Sequence, residues 1–90
     1  MGWTPLHSAA MQGHLETCSL IMETLLDKNP GTNSGATPLH VAAQNGHLEV
    51  CKLICKNIAD KNPTDNFGCT PISVARARGN MDIVLFLEKM

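Results

Sequence analysis

Four histidines and four cysteines are the side chains of this 90-residue chain best suited to chemistry. His47, Cys51 and Cys55 follow one another at steps of four, which on a helix would put an imidazole and two thiols on one face, the beginning of a zinc site. The set stops at three, no CxxC accompanies it, and structural zinc is held by closed tetrahedral sets, so no metal and no cofactor are expected. The thiols read instead as packing. Cys18 and Cys51 stand 33 residues apart at equivalent places on apolar helix faces, where a free cysteine behaves as a small hydrophobe. Four cysteines could make a disulfide framework in a secreted chain, but no basic segment followed by an apolar stretch opens the sequence. The histidines form two pairs, His7/His40 and His14/His47, again at a step of 33, and a residue repeated at a fixed interval points to a repeated structural task rather than to a catalytic base. Walker loops, nucleophile elbows, HExxH and paired-carboxylate clefts are absent, and Asp27, Asp60 and Asp65 stand among turn residues, where Asp serves local hydrogen bonding. The chain is read as having no catalytic residues.

Composition narrows the partners. Hydrophobic residues are 43% of the chain, too many for disorder, and charged residues are 17% with a net charge of −1. Seven Lys and Arg in total cannot make the clustered basic surface that phosphate binding needs, and three aromatic residues (Trp3, Phe67, Phe86) cannot make a row of stacking platforms for bases. Nucleic acid is therefore not expected as a partner. Nor is a membrane, since no apolar run approaches the roughly 20 residues that span a bilayer, and Leu6 stands where a myristoylation signal after Met1-Gly2 wants Ser or Thr. The expectation is an intracellular chain, cytoplasmic or nuclear.

The elements that would position any of these residues come in repeats. Thr4-Pro5-Leu6-His7 returns as Thr37-Pro38-Leu39-His40 and, altered, as Thr70-Pro71-Ile72-Ser73. Gly13-His14-Leu15-Glu16 returns as Gly46-His47-Leu48-Glu49, and Asp27-Lys28-Asn29-Pro30 as Asp60-Lys61-Asn62-Pro63, always after 33 residues. Residues 2–34 and 35–67 are identical at 19 of 33 positions without a gap. The chain is therefore read as one domain, 1–90, of three units: 1–34, 35–67 and a diverged 68–90.

Each unit reads as two helices and a loop. Thr can cap the free N–H groups of a first helix, and Pro at its first position lacks an N–H that would have no partner. In the middle unit that helix runs over about 38–45, and Gly46 ends it in a left-handed conformation. The second helix is two-faced, with Leu48, Cys51, Ile54, Cys55 and Ile58 on one side and Glu49, Lys52 and Lys56 opposite. A stretch rich in Asn, Asp, Pro, Gly and Thr follows, as in 60–68, and reads as a turn or extended finger.

Thr-Pro-Leu-His-x-Ala at a 33-residue step resembles the ankyrin repeat, and 35–47 is close to that family's signature stretch. The resemblance covers essentially the whole chain. It implies an all-α solenoid of stacked helix-turn-helix units with projecting hairpin loops, in which each motif His ties its Thr to loop backbone through both ring nitrogens. It also implies that hairpin tips and the exposed side of the first helices contact a partner protein. Carried onto this sequence, those positions are Trp3, Ala36 and Cys69 before the motif Thr, Asn33, Ser34, Asn66 and Phe67 on the tips, and Met11, Gln12, Gln44, Asn45 and Arg78 at the ends of the first helices. Asn29 and Asn62 match a hairpin Asn hydroxylated in some ankyrin proteins, but Lys28 and Lys61 precede them where an aliphatic residue is usual, and they read as turn residues.

Three departures from the family pattern matter. Leu25 and Ile58 stand where Gly usually ends the second helix, so a different ending is expected, with Asn57 taking the turn. Ser73 replaces the motif His, and Asn80 replaces the His after Gly, which puts the third unit's loop network in question. Polar residues appear at opposite ends of the array, with Ser8 and Thr17 for Val41 and Val50 in the first unit, and Arg76 and Glu88 for Ala43 and Cys55 in the third. Polar outer faces on terminal units are what a stack that folds alone requires. The reading is a monomeric protein-interaction module. Its rivals are an architectural spacer from a longer array and a regulatory part of a larger enzyme.

Overall fold

Each unit begins with a threonine whose backbone is extended and whose hydroxyl closes the first turn of a helix. In the computed structural model, which describes residues 2–24, 31–58 and 62–89, the helices are α1 Pro5–Gln12, α2 Leu15–Thr24, α3 Pro38–Gln44, α4 Leu48–Asn57, α5 Pro71–Ala77 and α6 Met81–Glu88. No strand occurs among the described residues, and the all-α expectation holds. Thr4, Thr37 and Thr70 are the N-caps, each accepting from the backbone N–H three residues on, with Pro next in line. The reciprocal bond comes from His7 and His40 in the first two units and from Ser73 in the third, whose Oγ accepts from Thr70 N–H at 2.8 Å. Ser73 thus closes the third unit's capping box without an imidazole.

The first helices end on glycine. Gly13 (φ 76°) and Gly46 (φ 80°) take the left-handed conformation that a Cβ would strain. Gly13 has a second reason: a Cβ there would lie 2.6 Å from Nδ1 of His47 in the next unit. The second helices end differently. Asn57 does not take a left-handed turn as expected. It is the last helical residue of α4, its side-chain amide donates to Leu53 O at 2.9 Å, and Ile58 is extended (φ −125°, ψ 152°) and packs partly buried on the core. An extended residue after the helix needs no glycine, so Ile58 ends it without strain. Leu25, Asp27, Asn29 and Asp60 lie outside the described residues.

The helices pack as three pairs in a row, with α1 beside α3 beside α5 and α2 beside α4 beside α6. One core runs through them. Leu6, Leu39, Cys18, Cys51, Ile54, Ala75 and Ile83 are fully buried in it, and small residues (Ala9, Ala10, Ala42, Ala43) let the first helices approach closely. All four cysteines are free. Leu15, the first-unit equivalent of Leu48, is an exception to the apolar face: it is 42% exposed, and Leu20, Met81 and Leu85 on the second helices also reach solvent.

His40 is 3% exposed and satisfies groups in two units at once, so its removal orphans both the Thr37 amide and a carbonyl of the next loop. Each orphaned buried group costs about 1–3 kcal/mol. His40→Ala should therefore lower the urea midpoint strongly, while Ser73→Ala, at an exposed cap, should cost only about 1 kcal/mol. Equal losses in chemical denaturation would refute this division of labour.

Candidate functional site

The sequence-predicted contact residues sit on loops, and the loops are held in place by hydrogen bonds that step from one unit to the next. His7 Nδ1 accepts from Thr4 N–H at 3.2 Å while Nε2 donates to Ala36 O at 2.8 Å. His40 repeats this with Thr37 N–H at 3.2 Å and Cys69 O at 2.8 Å. An acceptor at Nδ1 and a carbonyl at Nε2 fix the neutral Nε2–H tautomer in both rings. Both nitrogens are thus committed to structure, in the manner the family resemblance implies. They are not arranged to take a proton from a substrate.

A second ladder joins the ends of the first helices. His47 Nε2 donates to Met11 O at 2.8 Å, and one unit on, Asn80 Nδ2 donates to Ala43 O at 2.9 Å and to Gln44 O at 3.2 Å. Asn80 therefore performs the task of the histidine it replaces, with an amide N–H in place of an imidazole N–H. The turning of His47 toward Met11 and the burial of Cys51 and Cys55 leave the three residues as packing groups, and no cluster of three His, Cys, Asp or Glu among the described residues is placed to hold a metal ion. Burial pushes the thiol of Cys51 up to about 12, with the neighbouring Cys55 and Asp82 adding to the effect, and burial likewise raises that of Cys18. Such thiols stay protonated at neutral pH and are poor nucleophiles.

The tips form a third row. Thr32 N–H donates to Ala36 O and Asp65 N–H to Cys69 O, both at 2.9 Å, closing two equivalent hairpin turns. Gly35 and Gly68, at φ near 80°, complete them. Asn66 links the two tips: its backbone N–H donates to Ser34 O at 2.8 Å and its side-chain amide to Asn33 O at 2.9 Å. In the second tip Asp65 Oδ1 accepts from both Phe67 N–H and Cys69 N–H at 2.9 Å. The Cys69 amide above all holds the Asp65 carboxyl below its ordinary value of 3.8; desolvation works against it, and the Phe67 amide and His40 add to the lowering.

The predicted residues thus fall into two groups. Phe67 is 80% exposed, Met11 is 40% exposed, and Gln12, Asn33, Ser34, Gln44 and Arg78 are also exposed. Others carry structural bonds. Asn45 Nδ2 donates to Val41 O at 2.8 Å, Asn66 bridges the tips, and Ala36 and Cys69 are half-buried with their carbonyls taken. Trp3 is 40% exposed, with its ring tilted 55° against His7 at a centroid distance of 5.3 Å. The tip row and the helix-end row lie at opposite ends of the first helices, separated along α1 by about 12 Å for its eight residues. A groove of about 370 Å³ on the second helices was not anticipated. Glu16 of α2 and Glu49, Lys52 and Lys56 of α4 line it, and Lys52 pairs with Glu49 at 3.5 Å, so it concentrates no single charge.

Comparison with known proteins agrees with this geometry. The family model described as ankyrin repeats, three copies, matches residues 1–65. No curated protein matches the chain.

The depressed Asp65 carboxyl makes a prediction about pH. A carboxyl lowered by folding adds stability that is complete above its unfolded value, near 3.8, and is lost as pH falls through the lower folded value. The stability advantage of the native chain over Asp65→Asn should be greatest above pH 5 and shrink below pH 3.8. A gap that stays constant from pH 6 to pH 2.5 in urea titrations would show that the carboxylate charge contributes nothing.

Proposed function

The chain belongs to the ankyrin repeat family, and from that premise we propose that it binds a partner protein on the surface formed by its hairpin tips and the exposed ends of its first helices. Ankyrin repeats are in general protein-interaction modules without catalytic activity. The observation that carries the proposal is the contrast between frame and surface. The bonds of His7, His40, His47 and Asn80 recur from unit to unit, whereas the exposed positions beside them change: Met11, Gln44 and Ala77 in one row, Ser34 and Phe67 in another. A rigid frame with varied groups on it fits recognition better than spacing, which would be served as well by identical units. Phe67, an aromatic ring left 80% exposed on a turn pinned by Asp65, is the anchor of this reading, because exposed aromatics on pre-ordered loops give contact area at little entropic cost. No described helix is long and apolar enough to cross a membrane.

The test is affinity capture from source-cell lysate, with the native chain compared against one carrying Met11, Gln44, Phe67 and Arg78 changed to Ala. These side chains are exposed and hold no hydrogen bond within the described residues, whereas truncating Asn45 or Asn66 would disturb the frame. A protein retained by the native chain and lost by the variant, with helical circular dichroism unchanged, is the expected outcome. Capture of the same proteins by both would remove the surface assignment and favour a spacer.

A further inference from the structure

Two junctions join the second helices, α2 with α4 and α4 with α6, and a side chain at one has an equivalent 33 residues away at the other. Between α4 and α6 the space is spanned by Lys52. Its ammonium group lies over the ring of Phe86, 5.9 Å from the centroid, and pairs with Glu49 at 3.5 Å. Between α2 and α4 the equivalent residues are Ser19 for Lys52, Leu53 for Phe86 and Glu16 for Glu49. Serine is too short to do what the lysine does. The space filled at one junction is therefore open at the other, and it is the groove of about 370 Å³ on the second helices.

Leu15, 42% exposed, and the half-buried Leu53 are the apolar part of its lining. Glu16 and Lys56 are its free charges: both are exposed, and neither side chain holds an ion pair or hydrogen bond among the described residues. They stand at opposite ends. Glu16 is in the first turn of α2 and Lys56 in the last turn of α4, and the seven residues from Glu49 to Lys56 set the ends about 10 Å apart along the helices.

The walls decide what can lie there. Both are helices, whose backbone N–H and C=O groups are bonded within the helix. An extended peptide in the groove would lose water from its own backbone and gain no partner, whereas a helix arrives with its backbone already paired. Charge decides which helix. Glu16 lacks the cation that Lys52 gives to Glu49, and Lys56 lacks a carboxylate.

We propose that the groove between α2 and α4 docks a helix of a partner protein. That helix places a lysine or arginine over Leu53 beside Glu16 and, seven residues away on the same face, an acidic side chain beside Lys56. The basic side chain covers Leu15 and Leu53 with its stem and keeps its charge at the wet edge. It supplies from outside what Lys52 supplies from within one unit further on. This surface is separate from the hairpin tips and first-helix ends, and the proposal stands without them.

The test uses a fluorescein-labelled stapled helical peptide with lysine and glutamate seven residues apart on one face and leucine between them, read by fluorescence anisotropy. Saturable binding to the native chain is expected. Glu16→Gln or Lys56→Gln should each weaken it by about twofold to fivefold, the range of an exposed ion pair. Ser19→Lys, which refills the groove as Lys52 fills the next, should abolish binding while helical circular dichroism and the urea midpoint are kept. No saturable binding to the native chain would overturn the proposal, as would binding that survives Ser19→Lys. Equal affinity for a peptide with leucine in place of the lysine would show an apolar site and remove the cation. Concentration-dependent self-association of the chain in sedimentation, abolished by Ser19→Lys, would give the groove to a second copy instead.

Discussion

A loop can be long, exposed and still well placed only if its backbone groups are bound to something fixed, and in this chain each hairpin that closes on itself is also tied to the adjacent unit. The imidazoles of His7 and His40 each close their own helix cap and reach across to the carbonyl of Ala36 or Cys69. That double use couples helix starts to hairpins. If the cap frays, the ring loses its orientation, and the next hairpin loses the donor to its carbonyl. The apolar core packs the helices, but it does not reach the tips. The placement of the tips relative to one another depends on the ring bonds and on the bridge from Asn66 to Asn33.

The close approach of the units adds a second constraint. Small residues along the first helices and glycine at their ends leave room for the side chain of the following unit, so that His47 packs where a Cβ on Gly13 would be. Shape and polar bonding are therefore satisfied together, and neither could be changed alone. The same approach explains why the thiols are inert. Cys18 and Cys51 fill core volume at equivalent places, and the burial that makes them good packing residues holds them protonated.

Much of this was legible in the sequence, because the governing residues are short-range signals that recur. Thr before Pro, Gly after the first helix, and His three residues after the capping Thr all act within a turn or two, so that their meaning survives without tertiary information. Less legible were the features decided by a neighbour. Asn80 looked like a lost histidine, but an amide N–H placed beside Gln44 O does the same work, and only the inter-unit distance reveals the equivalence. Asn66 resembled a variable surface residue because nothing local distinguishes a solvated amide from one that spans two hairpins. Arg76 and Glu88 read as separate polar replacements, and their pairing across α5 and α6 depends on the packing of those two helices. The extended Ile58 is of the same kind: a helix end is set by where the chain must go next.

The inter-unit bonds also bear on how the chain finds its structure. They join residues 29, 32, 33, 36 or 37 positions apart, so none requires distant parts of the chain to meet. The entropy of closing such a loop is modest and nearly the same at each junction. Folding can therefore begin at either junction and spread along the stack as a zipper closes, with each docked pair presenting a finished edge to the next. Speed in such a chain is governed by the first junction formed.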